Sequence, residues 1–224
     1  MIIVIIELVN FKGENMKFAL IQCDIQYVLV LPEMWNTGYA LDNLKNTADI
    51  DGNETITLMS NFAKENHVNL LAGSVSTQKK NQFYNTSYAF DREGKLLLEY
   101  DKVHLFGLMA EDRYLSSGDK PSNFEMDGIK MSSLICYDIR FPEWSRQLMS
   151  QGSQILIVVA QWPEVRKQQW EILLKARAVE NQSFVVAVNR VGDGPDDHFS
   201  GQSMVIDPLG NVIAETENDK EDII

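Results

Sequence analysis

Apolar residues along the chain follow two patterns that predict different secondary structure. Short continuous runs rich in Val, Ile and Leu are typical of strands buried on both faces, and they cover residues 18–23, 27–31, 69–75, 131–135, 155–160 and 184–188. Apolar residues at helical spacing cover residues 58–66, 143–149 and 168–181. Because strands and helices alternate, the pattern predicts an α/β protein whose helices pack on sheets.

Two hairpins are also predicted. Residues 84–90 and 95–100 flank a turn that contains Gly94, and residues 204–213 repeat the pattern around Gly210. Glycine supplies the positive φ that such turns require. Residues 101–121 are polar and are predicted to form a loop.

Composition and charge exclude several classes of function. The chain has 20 basic and 32 acidic residues, a net charge of −12, which argues against nucleic acid and anionic membranes as partners. Two cysteines form no disulfide framework and suit a reducing compartment. The three histidines are not clustered as in a metal site. We therefore expect a cytoplasmic protein without a metal.

The length of 224 residues is typical of one large domain. A second natural start at Met16 leads directly into the first core strand, so residues 1–15 are interpreted as an N-terminal extension from a start assigned too early. The expected organisation is this extension followed by a single domain over residues 16–224.

Three chemically reactive side chains, Glu33, Lys102 and Cys136, each follow a predicted strand. A cysteine at a strand end is held rigidly and is expected to be exposed at the sheet edge, which suits a nucleophile. A free thiol has a pKa of ~8.5, so it is mostly protonated at pH 7. To react at that pH it needs a base such as Glu33 or a cation such as Lys102. Taken singly, each residue also fits a structural role, and His104 leaves open a rival Cys–His pair.

Three separated blocks resemble the signature of the nitrilase, or carbon–nitrogen hydrolase, superfamily: Leu-Pro-Glu at 31–33, Asp-Lys-Val-His-Leu-Phe at 101–106 and Ile-Cys-Tyr-Asp-Ile-Arg-Phe-Pro-Glu at 135–143. A fourth block, Ala-Arg-Ala-Val-Glu-Asn, lies at 176–181, and the resemblance covers roughly residues 17–224. It implies a four-layer αββα sandwich, no cofactor, and a homodimer or higher homo-oligomer. The implied catalytic residues are Glu33, Lys102, Cys136 and Glu111, with an oxyanion hole formed by Lys102 and the backbone N–H of Tyr137.

The residues after the cysteine indicate the branch of the superfamily. Nitrilases usually have Trp-Glu there, whereas this chain has Tyr-Asp, which resembles the amidases and most of all the ω-amidases that hydrolyse 2-oxoglutaramate and related ω-amides. The expected substrate is a small amide with a free carboxylate. Candidate substrate-binding residues are Tyr39, Arg140 and Trp162. The two aromatic residues fit wall packing equally well, and Arg140 fits an internal ion pair with Asp138 or Glu143.

The chain departs from the family pattern in two places, before its Leu-Pro-Glu strand and after Ile224, where the family has a further strand and tail. The family has a helix before its Leu-Pro-Glu strand, whereas here Gln26 directly precedes Tyr27. We expect the natural protein to contain that helix and a further segment after Ile224. Alternative functions are an N-carbamoyl-amide hydrolase or short aliphatic amidase of the same superfamily, and a non-catalytic binding protein on the same fold.

Overall fold

The computed structural model describes residues 28–194 and 196–224 and, as backbone only, residues 2–11 and 14–22. The strands are β1 (Ile2–Phe11), β2 (Glu14–Gln22), β3 (Val28–Val30), β4 (Asp49–Ile50), β5 (Asn69–Lys79), β6 (Gln82–Phe90), β7 (Leu96–Asp101), β8 (Asn123–Met126), β9 (Ile129–Ile135), β10 (Ile155–Ala160), β11 (Phe184–Asn189), β12 (Val191–Asp193), β13 (His198–Ser200), β14 (Met204–Ile206) and β15 (Val212–Glu215). The α-helices are α1 (Leu44–Thr47), α2 (Asn53–Asn66), α3 (Glu111–Tyr114), α4 (Pro142–Met149) and α5 (Lys167–Asn181). Within these described ranges, no helix combines the length and apolar character needed to cross a membrane.

Most strands belong to two larger sheets. In the first sheet the order is β3-β5-β6-β7, with β4 also paired to β5; β3 and β4 run parallel to β5, and the remaining pairs are antiparallel. The second sheet has the order β15-β14-β11-β10-β9-β8, with a parallel centre formed by β9, β10 and β11. The pairs β1-β2 and β12-β13 form separate two-stranded sheets.

The two larger sheets pack face to face between helices. Alternate residues of a strand point to opposite faces. Leu71 and Ala89 pack in a core shared with the second sheet, whereas their neighbours Leu70 and Phe90 pack against α2. On the far side α4 and α5 cover the second sheet and bury Trp170. The layers are therefore helix, sheet, sheet, helix, and the αββα sandwich is confirmed.

Element positions agree with the hydrophobic pattern where runs are long. The predicted strand 155–160 coincides with β10, and predicted helix 168–181 differs from α5 by one residue. The loop prediction for residues 101–121 was wrong in part, because α3 and the 3₁₀ helix Gly107–Met109 lie there. Each is about one turn, too short to show periodicity. The predicted boundary between residues 15 and 16 falls inside β2, and Gln26 and Tyr27 lie outside the described residues.

A bulge in β5 holds the loop that follows β3. The pairing of β5 with β6 shifts register between Leu71 and Ser74, and Gly73 lies there with φ +57°. Next to it, the Ser74 backbone N–H donates to the Pro32 carbonyl oxygen at 3.2 Å, and the Ser74 hydroxyl accepts from the Met34 N–H at 3.0 Å. The loop between Pro32 and Met34 is thereby fixed to the first sheet.

Replacing Gly73 by Ala tests this support. A methyl group at Gly73 would run into the Pro32 carbonyl oxygen, whereas one at Gly128 (φ +76°) would meet no atom within 4 Å. Gly128→Ala is expected to cost about 1–2 kcal/mol for its left-handed backbone. Gly73→Ala adds overpacking and should cost roughly 2–5 kcal/mol. Denaturant unfolding measures both, and equal costs would contradict the close approach.

Candidate active site

Glu33 lies in the loop after β3 and is fully buried. Its Oε1 accepts hydrogen bonds from Lys102 Nζ at 2.8 Å, Asn85 Nδ2 at 2.8 Å and the Tyr39 hydroxyl at 2.9 Å. Its Oε2 accepts from the backbone N–H of Gln161 at 2.8 Å. Because Gln161 follows β10 of the second sheet, this carboxylate joins the two sheets at one edge of the sandwich.

Lys102 directly follows β7 and lies between two carboxylates. Its Nζ is 2.8 Å from Glu33 Oε1 and 2.7 Å from Glu111 Oε1, and all three side chains are fully buried. Glu111 begins α3, and its other oxygen accepts from the backbone N–H of Phe106 at 2.6 Å. An ammonium removed from water needs such partners, because the desolvation penalty of an unpaired buried ion is several kcal/mol.

Burial and the neighbouring charges set the protonation of this cluster. Burial by itself lowers the pKa of Lys102, but the carboxylates of Glu111 and Glu33 outweigh it and hold that pKa well above its usual value. Burial raises the pKa of Glu111, which the Lys102 ammonium opposes. Lys102 is thus a permanent cation at neutral pH.

Cys136 follows β9 and begins the 3₁₀ helix Cys136–Arg140. Only 4% of its surface is exposed, so the prediction of an exposed thiol at the sheet edge was wrong. Glu33 and Lys102, which follow strands of the first sheet, lie close enough to this thiol for their charges to act on it. Burial raises the pKa of the thiol well above its usual value, the Glu33 carboxylate raises it further, and the Lys102 ammonium opposes them. These effects favour a neutral thiol at rest, close to the Glu33 carboxylate.

Backbone strain occurs at this site. Cys136 has φ +48°, Met34 directly after Glu33 has φ +47°, and Ala110 directly before Glu111 has φ +59°. A residue with a side chain in this left-handed region costs about 1–2 kcal/mol. Such strain persists where the surroundings impose it, and it is typical of functional sites.

Asp138 connects the turn of Cys136 to the loop after β7. Its Oδ2 accepts from the Ile135 N–H at 3.1 Å and the Tyr100 hydroxyl at 2.8 Å. Its Oδ1 accepts from the His104 backbone N–H at 2.9 Å and lies 2.8 Å from His104 Nδ1. His104 therefore has Asp138 as its partner, which argues against a Cys–His pair.

Tyr39 contacts the acids rather than the open cleft. Its hydroxyl is 2.9 Å from Glu33 Oε1 and 2.8 Å from Glu111 Oε1. Burial of the hydroxyl, together with the charges of Glu111 and Glu33, raises the pKa of Tyr39 well above its usual value. The group stays a hydrogen-bond donor, and this geometry favours positioning of the acids over the predicted contact with substrate.

A narrow cleft opens beside Cys136. Its walls include three aromatic side chains and two guanidinium groups: Phe106, Tyr137, Trp162, Arg140 and Arg166. The Arg140 guanidinium lies 5.1 Å from the Trp162 ring centroid and 5.8 Å from that of Tyr137. In the part of the chain that the structure describes, Arg140 forms no ion pair with Asp138 or Glu143. The cleft therefore places two guanidinium groups beside the thiol.

Comparison with known proteins identifies the family. Residues 22–224 match the model of the carbon-nitrogen hydrolase family. The chain belongs to this family. It is 50% identical over 188 residues to the 2-oxoglutaramate amidase of Bacillus subtilis, covering 84% of this chain and 73% of that protein. It is 37% identical over 188 residues to omega-amidase YafV of Escherichia coli K12, covering 84% and 71%. The crystal structure of Nit3 from Saccharomyces cerevisiae, of the nitrilase superfamily, matches with a TM-score of 0.80 and 30% identity, covering 87% and 73%.

The resemblance found in the sequence is confirmed at the level of the carbon-nitrogen hydrolase family. The structure brings Glu33, Lys102, Glu111 and Cys136 together, and their catalytic roles remain predictions. It also places there two residues that sequence reasoning missed, Asn85 beside Glu33 and Arg166 in the cleft. Asn85 carried one signal, an amide inside a buried strand. Nothing in the pattern distinguished Arg166 from a surface arginine.

The pH dependence of thiol modification tests the environment of Cys136. In a Cys23→Ser background, methyl methanethiolsulfonate should react with Cys136 along a pH profile whose inflection lies above the ~8.5 of a free thiol. Glu33→Gln removes one negative charge and should move the inflection to lower pH, since Glu33 raises the pKa of the thiol. If the modification rate of the protein with Glu33 intact already reaches its plateau below pH 8, a neutral resting thiol is ruled out.

Removing the Tyr39 hydroxyl separates positioning from substrate binding. Tyr39→Phe is expected to lower kcat for amide hydrolysis by about 10–100-fold, the usual effect of losing a hydrogen bond to a charged group, with KM within about twofold. Tyr114→Phe, which changes an exposed tyrosine, is the matched control. An increase in KM at unchanged kcat would instead show that Tyr39 binds the substrate.

Proposed function

We propose that the protein hydrolyses ω-amides of small dicarboxylic acids, such as 2-oxoglutaramate or succinamate, to the acid and ammonia through a thioester on Cys136. The observation that carries the proposal is a buried thiol beside an ammonium held between two carboxylates. The names of the two relatives, 2-oxoglutaramate amidase and omega-amidase, support the substrate class.

Glu33 acts as the base in the first step. It takes the Cys136 proton as the sulfur attacks the amide carbonyl carbon, and the carbonyl π electrons move to the oxygen. A proton transfer from thiol to carboxylate moves negative charge inside the cluster without creating any, so it costs less than ionising a buried thiol into solvent. The raised thiol pKa is therefore compatible with a nucleophile that ionises only with substrate present.

Lys102 stabilises the oxyanion, together with the backbone N–H of Tyr137. A preorganised donor of this kind is commonly worth ~3–4 kcal/mol of barrier. Glu111 holds Lys102 in place through its hydrogen bond to the ammonium, and the Tyr39 hydroxyl lies within hydrogen-bond distance of both Glu33 and Glu111. No step in this scheme needs a cofactor.

The second half of the reaction returns the thiol. The tetrahedral intermediate breaks its C–N bond, and Glu33 gives the proton to the departing nitrogen, which leaves as ammonia. Glu33 then takes a proton from water, which attacks the thioester carbonyl. Cleavage of the C–S bond releases the acid, and the sulfur recovers a proton from Glu33.

Arg140 and Trp162 are the proposed substrate-binding residues. Arg140 lines the cleft beside the nucleophile and can donate to the distal carboxylate, while Trp162 supports its guanidinium. We further propose a cytoplasmic location, supported by the low cysteine count. A homodimer or higher homo-oligomer is supported by exposed apolar residues on α5, where Ile172 and Val179 are more than half exposed.

Ammonia release by the purified protein tests the proposal. The substrates are 2-oxoglutaramate and succinamate, with an N-carbamoyl amino acid, a short aliphatic amide and a simple nitrile alongside. We expect release from the ω-amides, reduced roughly 10³-fold or more in Cys136→Ala, since loss of a nucleophile has effects of at least that size. Cys23→Ser, which changes the other cysteine, should retain activity.

The pattern of substrates decides between the alternatives. Turnover of the carbamoyl compound alone would keep the cysteine mechanism and reject the ω-amidase assignment. Turnover of the aliphatic amide with no preference for a carboxylate would indicate a general amidase. Silence on every substrate would favour a binding protein on this fold.

A further inference from the structure

The cleft beside Cys136 contains a second cation, Arg166, for which the mechanism above has no use. Arg166 ends the 3₁₀ helix Glu164–Arg166, whereas Arg140 ends the 3₁₀ helix Cys136–Arg140, and both line the cleft. Its backbone is held in place: its N–H donates to the Pro163 carbonyl at 3.0 Å, and its carbonyl accepts from Trp162 Nε1 at 2.8 Å. The side chain is half-buried.

Both guanidinium groups are supported by aromatic rings. The Arg166 guanidinium lies 5.4 Å from the Phe106 ring centroid, and that of Arg140 lies 5.1 Å from the Trp162 ring centroid. Contact with an aromatic face restricts a guanidinium without consuming the N–H donors in its plane. Those donors match the geometry of a carboxylate.

Neither group has a carboxylate partner in the described part of the chain. Among the described residues, no Asp or Glu oxygen lies within 4.0 Å of the guanidinium of Arg140 or Arg166. In this chain, which has a net charge of −12, the largely buried Arg92 and Arg177 do pair with acids. Two unpaired cations in one small cleft repel each other, and an anionic ligand would relieve that repulsion.

We propose that Arg166 and Arg140 together bind the substrate carboxylate, so that Arg166 restricts the enzyme to monoamides of dicarboxylic acids. This inference rests on the proposed amidase function and names a specificity residue for the same site. Two guanidinium groups offer the carboxylate more donors than one, and the distal amide is then left for Cys136, which lines the same cleft. A neutral amide gains nothing from either arginine.

The test compares a charged and an uncharged amide of matched length. Ammonia release is measured with succinamate and with butyramide, in which a methyl group replaces the carboxylate. Arg166→Gln is expected to lower kcat/KM for succinamate about 10–100-fold, mainly through KM, and to leave butyramide within about twofold. Arg166→Lys keeps the charge but loses the planar fork, so it should recover only part of the loss.

Arg146→Gln is the matched control, since Arg146 is an exposed arginine on α4 outside the cleft, and it should behave as the unmodified enzyme. Butyramide turnover and the melting temperature show that each variant is folded. If the unmodified enzyme prefers succinamate but Arg166→Gln keeps that preference, or loses both substrates equally while folded, the role of Arg166 is refuted. If the unmodified enzyme has no preference for the carboxylate, the proposed function itself fails.

Discussion

The buried ammonium of Lys102 is the constraint on which the rest of the site depends. A cation with no exposed surface is stable only if carboxylates are close, and here Glu33 and Glu111 lie 2.8 and 2.7 Å from it. Each carboxylate must in turn be held in place, which explains the donors from Asn85, Tyr39 and the backbone of Gln161 and Phe106. The positive φ values of Met34 and Ala110 are consistent with the backbone being adapted to these contacts.

The sandwich assembles the site because the groups come from both sheets. Glu33 and Lys102 follow strands of the first sheet, whereas Cys136 and Gln161 follow strands of the second. The bond from Gln161 to Glu33 crosses between them. The relative position of the two sheets therefore sets the distance between the proposed base and the nucleophile, and the apolar core between the sheets controls the chemistry at their edge.

Site features that depend on local order along the chain could be predicted from the sequence, whereas features that depend on tertiary packing could not. A reactive residue that ends a strand can be read from the chain, so Glu33, Lys102 and Cys136 were found. Burial of the thiol was not, since groups near it, such as Glu33 and Lys102, are distant in sequence. Asn85 lies 52 residues from its partner Glu33, and no local pattern reveals such a pair. Asp138, considered as a partner for Arg140, instead accepts hydrogen bonds from the backbone N–H groups of Ile135 and His104.

The cations of the site and its cleft divide into two kinds by their partners. Lys102 is compensated by two carboxylates, so it cannot attract a further anion strongly, and its charge is available mainly to an oxyanion that forms during reaction. Arg140 and Arg166 have aromatic support and, among the residues described, no carboxylate. Their charge is therefore available to the ground state of an anionic substrate. This division separates the group that would lower the barrier from the groups that would select the substrate, which is how binding and catalysis can be changed independently in one small cleft.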